Sequence, residues 1–384
     1  MTWPEAVYIH VPFCFRRCGY CDFTLVADRD QLIPRWFDCL GRELQVHREQ
    51  AGMRLPVSTV FFGGGTPTHL DAGQLHRLLE LIRSHFEWSD DAEISMEANP
   101  EALDEERLEA LQRGGVNRIS LGVQSFDDTV LKVLERAHTA DVAEDAVRRV
   151  AARFPAVSLD LIFGVPEQSN VSWEQTLRRA VSLPVQHVSA YGLTWEQGTS
   201  FYRREQQGRM MRATEELERE MFLRGIDVLQ QAGFEHYEVS NYARRGFRCR
   251  HNLVYWHAKE YLAFGPGAAR YVGGIRSTNC RSVLRWLNSW ESDQACLEET
   301  ETLGHADRVS EALMLALRLR EGFLVRDFED RFSIQLQQFA GGTVRRLRDQ
   351  GLLELVEGTL RLTPDGLLLA DTVAAEMLNP EAGH

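Results

Sequence analysis

Short β-rich runs alternate with amphipathic stretches through the first 240 residues of the chain. The strand-like runs fall at residues 7–11, 59–62, 94–98, 118–121, 158–162 and 187–191. Between them, apolar positions at helical spacing predict helices near 33–50, 71–86, 101–113, 126–134, 139–152 and 172–182, and another at 213–232. Helix-start residues support this reading: Asp71 precedes "AGQL", Pro100 opens "EALDEERLEAL" and Asp141 leads "VAEDAVRRV". Repeated βα units imply an α/β fold with a parallel sheet and right-handed crossovers. Six such units suit an incomplete (β/α)6 barrel of the TIM type better than a closed eight-unit barrel, with an open doubly wound sheet as the other arrangement.

The pattern changes after about residue 240. Aromatic and glycine residues cluster in "HYEVSNYARRGFRCRHNLVYW" and "EYLAFGPGAARYVGG", which read as loops over or beside the barrel mouth. From Asp307 onward, helices at 308–319, 325–331 and 341–350 precede a hairpin-like "GLLELVEGTLRLTPDG" and a last helix, the order of a small winged-helix module. The expected division is therefore 1–240 for the partial barrel, 241–306 for the aromatic segment and 307–384 for the winged-helix-like unit. Residues 307–377 hold nine arginines against twelve acids, so the wing favours packing or partner contact over DNA.

Composition narrows the classes. Of 384 residues, 43 are basic and 56 acidic, a net charge of −13 that argues against a broad nucleic-acid-binding surface. No charged-then-apolar leader opens the sequence, and apolar runs such as "GLLLA" are far shorter than the ~20 residues a membrane helix needs. Seven cysteines, an odd number, point to a reducing cytoplasm rather than a disulfide scaffold.

Three of those cysteines, Cys14, Cys18 and Cys21, stand within "VPFCFRRCGYCDF" at Cys-x3-Cys-x2-Cys spacing. A structural zinc site wants four ligands, and no fourth cysteine or histidine follows. A disulfide would strand one thiol. Three thiolates fit a 4Fe–4S cluster with one iron left open, placed just after the first strand, where barrels of this kind carry their chemistry. "FFGGGTPTHL" follows the second strand, and its glycines allow close backbone approach and an anion-binding nest of N–H groups, although a tight turn entering a helix is the plainer reading. Glu97 ends the third apolar strand and Asp160 lies in the fifth, where a carboxylate needs a partner. Capping a neighbouring helix is their alternative.

The Cys-x3-Cys-x2-Cys triad after a first barrel strand resembles the radical S-adenosylmethionine (SAM) superfamily. The opening Tyr8-Ile9-His10-Val11-Pro12-Phe13-Cys14 resembles, more narrowly, the anaerobic coproporphyrinogen III oxidase family, over about residues 5–375. The resemblance implies a 4Fe–4S cluster on the three cysteines with SAM chelating its free iron. It implies SAM contacts from Gly64, Gly65, Thr66, Glu97, Gln124, Arg136 and Asp160, and aromatic or backbone contacts from Tyr8 and Tyr20. His10 reads as a structural histidine, not a ligand.

Phe23 breaks the oxidase pattern, which has a fourth cysteine there. That departure, "YGLTWEQGTSFY" at 191–202 and "HNLVYW" at 251–256 resemble the haem-chaperone branch of the family. The branch implies haem as cargo, His251 as a haem-iron ligand beside Tyr255 and Trp256, and an acceptor haemoprotein, with peripheral contact with membrane-bound acceptors included. Without the resemblance, His251 reads as a satisfied loop histidine among core aromatics. Relatives often carry histidine after "GPGA", where this chain has Ala269. His257, His236 and Cys249 are the substitutes, unranked. The competing function is an oxygen-independent coproporphyrinogen III oxidase, and a third is a radical enzyme on an unrelated substrate.

Overall fold

The computed structural model describes residues 3–383. Six parallel strands, β1 (Ala6–Val11), β2 (Leu55–Gly64), β3 (Phe86–Ala98), β4 (Arg118–Gln124), β5 (Ala156–Phe163) and β6 (His187–Gly192), follow one another in chain order across the central sheet. The connecting helices are α1 (Ile33–Ala51), α2 (Ala72–His85), α3 (Glu105–Arg113), α4 (Asp128–Val133), α5 (Ala140–Ala151) and α6 (Asn170–Ser182). α7 (Ser200–Gln206) and α8 (Glu215–Gln231) come after β6. The fold is thus the α/β partial barrel expected from the six βα repeats.

Alternation along the strands explains the layers. Val7, Ile9 and Val11 of β1, Ile119, Leu121 and Val123 of β4, and Val157, Leu159 and Leu161 of β5 all face outward and are fully buried under the helices. Burying such side chains stabilises the fold by about 1.5–3 kcal/mol each. The intervening residues point inward, and there the character reverses: Tyr8, Ser120, Ser158, Asp160, His187 and Ser189 line a cavity.

Helix starts follow capping chemistry. Asp71 accepts from the Gln74 N–H, and Gln74 returns the bond to the Asp71 N–H, a complete capping box for α2. For α3 and α5 the caps are Asp104 and Thr139 rather than the Pro100 and Asp141 start signals, which lie five residues before the start of α3 and one residue past the start of α5.

The segment after residue 240 differs most from its expected loops. Strands β7 (Glu235–Glu238) and β8 (Asn241–Ala243) form a hairpin, and β8 pairs antiparallel with β6. A cut at residue 240 would fall inside that hairpin. α9 (Arg250–Trp256) follows, then β9 (Leu262–Phe264), which pairs parallel with β1 on the opposite edge of the sheet. The nine strands run β9-β1-β2-β3-β4-β5-β6-β8-β7. A three-stranded antiparallel sheet and α10 (Val283–Glu291) complete this part. Within it Cys280 and Cys296 are joined in a disulfide, Cα–Cα 5.6 Å. Their separation of 16 residues carries no signature, and the other five cysteines are free thiols.

The C-terminal unit comprises α11 (His305–Ala316), α12 (Val325–Phe332), α13 (Leu336–Asp349), the hairpin Leu353–Val356 with Thr359–Leu362, and two closing helices. It has its own core around Leu313, Leu347, Leu360 and Val373. No helix among the described residues is long and apolar enough to cross a membrane.

Candidate functional site

The cysteine loop leaves the C-terminal end of β1. Its base is the two-residue strand Phe13–Cys14, paired with Val26–Ala27, and the Val26 N–H donates to the Pro12 carbonyl at 2.8 Å. The turn after β2 packs directly beneath it: the Gly65 and Thr66 N–H groups donate to the Val11 and Phe13 carbonyls, each at 2.8 Å. A Cβ on Gly65 would stand 2.6 Å from the Phe13 carbonyl oxygen. Gly64 has φ +119°, and a Cβ there would meet the His10 ring at 2.7 Å. The glycines at 64 and 65 therefore satisfy close approach first.

His10 pins the return leg of the loop. Its Nε2–H donates to the Thr24 carbonyl at 2.6 Å, which leaves Nδ1 to accept from the Tyr8 hydroxyl at 3.1 Å. Burial pushes its pKa down to about 4, so the ring is neutral. The second wall comes from the "YGLTWEQGTSFY" segment: the Phe201 N–H donates to the Gly19 carbonyl at 2.8 Å, and the Tyr20 and Phe201 rings meet edge to face. The third wall is Arg281, which donates to the Asp22 carbonyl at 2.6 Å and to its carboxylate at 2.9 Å.

Cys14, Cys18 and Cys21 all line one end of a cavity of about 960 Å³. Burial pushes the Cys21 thiol up to about 11, and Arg136 approaches Cys18 Sγ at 3.7 Å. Among the described residues, no three His, Cys, Asp or Glu side chains are drawn together tightly enough for a single metal ion. A cluster ligated through separate irons needs its thiolates spread further apart, and the donor set of three thiols without a fourth ligand fits that group.

Beside the loop the strand ends converge. Glu97 accepts the Gly64 N–H at 3.0 Å, and burial, with Asp160 nearby, raises its pKa to about 8. Asp160 accepts from the Ser120 hydroxyl at 3.1 Å, and burial raises its pKa too. Gln124 occupies a bulge at the end of β4, with φ +66°. Arg136 donates to Asn99 Oδ1 at 2.6 Å and to the Gly122 carbonyl at 2.9 Å, while its Nε is buried without a partner. An orphaned guanidinium N–H in this cavity wall suits a carboxylate ligand. All of Tyr8, Tyr20, Gly64, Gly65, Thr66, Glu97, Gln124, Arg136 and Asp160 line this one cavity. Asn99 escaped sequence reading: its Nδ2 donates to Thr66 Oγ1 at 2.9 Å, and Thr66 lies 3.3 Å from Cys14 Sγ. A lone asparagine two residues past Glu97 gave no spacing signal.

The "HNLVYW" box is α9, not a loop. Glu93 accepts the Arg250 and His251 N–H groups at 3.0 Å and caps the helix. His251 is 1 % exposed and faces the barrel interior, stacked on Phe61. Both ring nitrogens are engaged, Nδ1 with the Thr59 hydroxyl at 2.9 Å and Nε2 with the Tyr255 hydroxyl at 2.8 Å. Burial pushes its pKa down to about 3. In this arrangement His251 offers no free nitrogen to iron. The histidine expected in a loop is a buried imidazole in the barrel wall. His236 is likewise buried and bonded to the Val239 carbonyl at 3.1 Å, and Cys249 donates to Glu93 at 3.6 Å. Ala269 lines the cavity, and Phe23, 61 % exposed, stands at its rim.

Residues 8–180 match the Radical SAM superfamily, and residues 303–369 match the HemN C-terminal domain. The solved structure of coproporphyrinogen III oxidase (HemN) from Escherichia coli superposes with a TM-score of 0.85 at 22 % identity, covering 98 % of this chain and 90 % of that one. The chain is a radical SAM fold with a HemN-type C-terminal domain. The heme chaperone HemW of Bacillus subtilis is 33 % identical over 97 % of this chain and 99 % of its own length, and that of Lactococcus lactis is 34 % identical over 98 % and 97 %. The mitochondrial radical S-adenosyl methionine domain-containing protein 1 of Bos taurus is 35 % identical over 97 % and 87 %. The chain belongs to the HemW branch of the HemN family.

Proposed function

We propose that this protein is a cytoplasmic haem chaperone that holds haem and passes it to an acceptor haemoprotein, while a 4Fe–4S cluster on Cys14, Cys18 and Cys21 carries SAM on its open iron. The observation that supports this reading is the pairing of an intact SAM cradle with Phe23, exposed at the rim, where the oxidase pattern has cysteine. When bound, the cluster supplies a Lewis-acidic iron and an electron to SAM. The chain's own part is to hold and shield. Arg136, with its unpartnered Nε, would meet the SAM carboxylate, Glu97 and the Gly64–Thr66 turn would take the amino-acid portion, and Gln124 and Asp160 would take the rest. Tyr20, against Phe201, excludes water from the cluster side.

His251 would serve as an axial ligand in a state where Tyr255 has released Nε2. Partners are haem and the acceptor, with peripheral contact at the surface of membrane-bound acceptors, and no nucleic acid. The test is haem titration of anaerobically reconstituted protein beside a coproporphyrinogen III turnover assay with SAM and reductant. Stoichiometric haem binding without decarboxylation is expected. Multiple turnovers would overturn the chaperone reading in favour of the oxidase.

A further inference from the structure

A packed barrel fills its interior with layers of Val, Ile and Leu. Here the inward positions beneath the SAM cradle are Ser95 on β3, Arg118 and Ser120 on β4, Ser158 on β5, and His187 and Ser189 on β6. The cavity that begins at the cysteines continues past Ser158 and His187 to Arg118. Small polar side chains leave that space open and lined with donors and acceptors, which is costly unless something occupies it.

Arg118 marks the far end. It is 3 % exposed and donates one N–H to the Phe247 carbonyl at 3.0 Å. Among the described residues no carboxylate forms an ion pair with it. A guanidinium has five donors, and one set in the wall of a cavity suits an anion. No neighbour makes a direct ion pair with it: His187 is held between the Ser158 hydroxyl at 2.7 Å and the Tyr237 hydroxyl at 2.8 Å, Glu93 is committed to capping α9, and Asp160, in the cavity wall, feels the Arg118 charge without bonding to it. The Ser95 hydroxyl is buried without a partner one strand away, at the position that pairs with Arg118.

We propose that the barrel floor binds a second small ligand, separate from SAM and haem: a compact polar carboxylate whose anionic end is held by Arg118 and whose remaining polar groups meet the serine-lined wall at Ser158. A monoanion fits better than a phosphate dianion, because Arg118 brings a single positive charge and the Asp160 carboxyl lines the same cavity above it. The site is independent of where haem binds, so it stands or falls apart from the chaperone reading.

The test uses full-length protein reconstituted anaerobically with its cluster and SAM, with pyruvate, acetate and inorganic phosphate as probes, read by saturation-transfer NMR on the carboxylates and phosphorus line width on phosphate. Pyruvate should bind with Kd on the order of 1 mM or tighter. Arg118→Gln should weaken it at least about tenfold, as expected for loss of one charge-assisted bidentate contact. Ser158→Leu, which fills the chamber and leaves the SAM residues in place, should do the same, and it carries the test if Arg118→Gln does not fold. SAM retention by equilibrium dialysis should hold in both variants. The proposal is overturned if neither carboxylate binds the wild type, if either folded variant binds pyruvate as tightly as the wild type, or if phosphate binds more tightly than the carboxylates.

Discussion

Replacing His251 with alanine separates its buried role from a role in haem binding. The substitution removes two hydrogen bonds, 2.9 Å to Thr59 and 2.8 Å to Tyr255, and leaves both hydroxyls short of a partner. Each buried orphan costs about 1–3 kcal/mol. Because the cavity adjoins them and admits water, the lower half of that range applies to each. The ring also stacks on Phe61 with centroids 5.2 Å apart, worth a further ~0.5–1.5 kcal/mol. The expected loss is about 3–5 kcal/mol in the apoprotein, or a fall in Tm of roughly 4–6 °C for a chain of this size. The pH dependence adds a second signature. The pKa of His251 lies near 3 in the fold and near its ordinary 6.5 when unfolded, so the unfolded chain binds the extra proton between those values. Its stabilising effect is whole above pH 6.5 and is lost as pH falls toward 3, and His251→Ala should flatten that part of the profile. The assay is differential scanning fluorimetry of haem-free protein across pH 4–8, paired with haem titration. An apoprotein that melts like the wild type while haem binding is lost would refute the structural reasoning and restore His251 as a free ligand.

Alanine at Cys14, Cys18 or Cys21 should abolish the broad iron–sulfur absorption and the roughly four irons per chain, while Cys39→Ala, at a thiol buried beside α10, should keep both. Iron retained after loss of Cys18 would sink the ligand assignment. Phe23→Ala should change stability by no more than about 0.5 kcal/mol because the side chain is 61 % exposed, and it should leave the iron content intact. Loss of the cluster on that change would contradict its placement at the rim. Glu43, buried and bonded to the Gly265 N–H and Asn279, has its pKa raised to about 7 by burial. It therefore stabilises fully below the unfolded value near 4.5 and loses that contribution as pH rises toward 7, so Glu43→Gln should steady Tm across pH 5–7. A slope unchanged in the variant would refute the assignment.

The six βα repeats were legible because each strand's outer face is an apolar run and each helix carries its own periodicity. The triad was legible from local spacing, since three thiols within eight residues leave few structural explanations. What the chain pattern hid was long-range. β9 is three residues of "LAF" in a glycine-rich stretch, and only its pairing with β1 makes it a strand. α9 opens with Arg250-His251-Asn252, poor helix formers, and depends on Glu93, 158 positions before His251, for its cap. Asn99 and Arg118 are single polar residues at strand ends, without spacing, and their meaning lies in the cavity they face. The Cys280–Cys296 disulfide likewise joins positions that share no motif.

The order in which the cysteine loop acquires its walls bears on how the cluster is loaded in a growing chain. The loop leaves the ribosome well before the segments that close it: Phe201 seals it at Gly19, β9 zips onto β1, and Arg281 ties down Asp22. At synthesis rates of about 5–20 residues per second, the third of these arrives at least ~13 s after the first cysteine. For that interval three thiols are presented on an open edge of an unfinished sheet. Loop closure across more than 250 residues also makes this the slowest part of the topology to form. Cluster insertion into a nascent chain and into a finished one are therefore different reactions: the first meets an open loop, and the second must wait for the Phe201 or Arg281 contact to open.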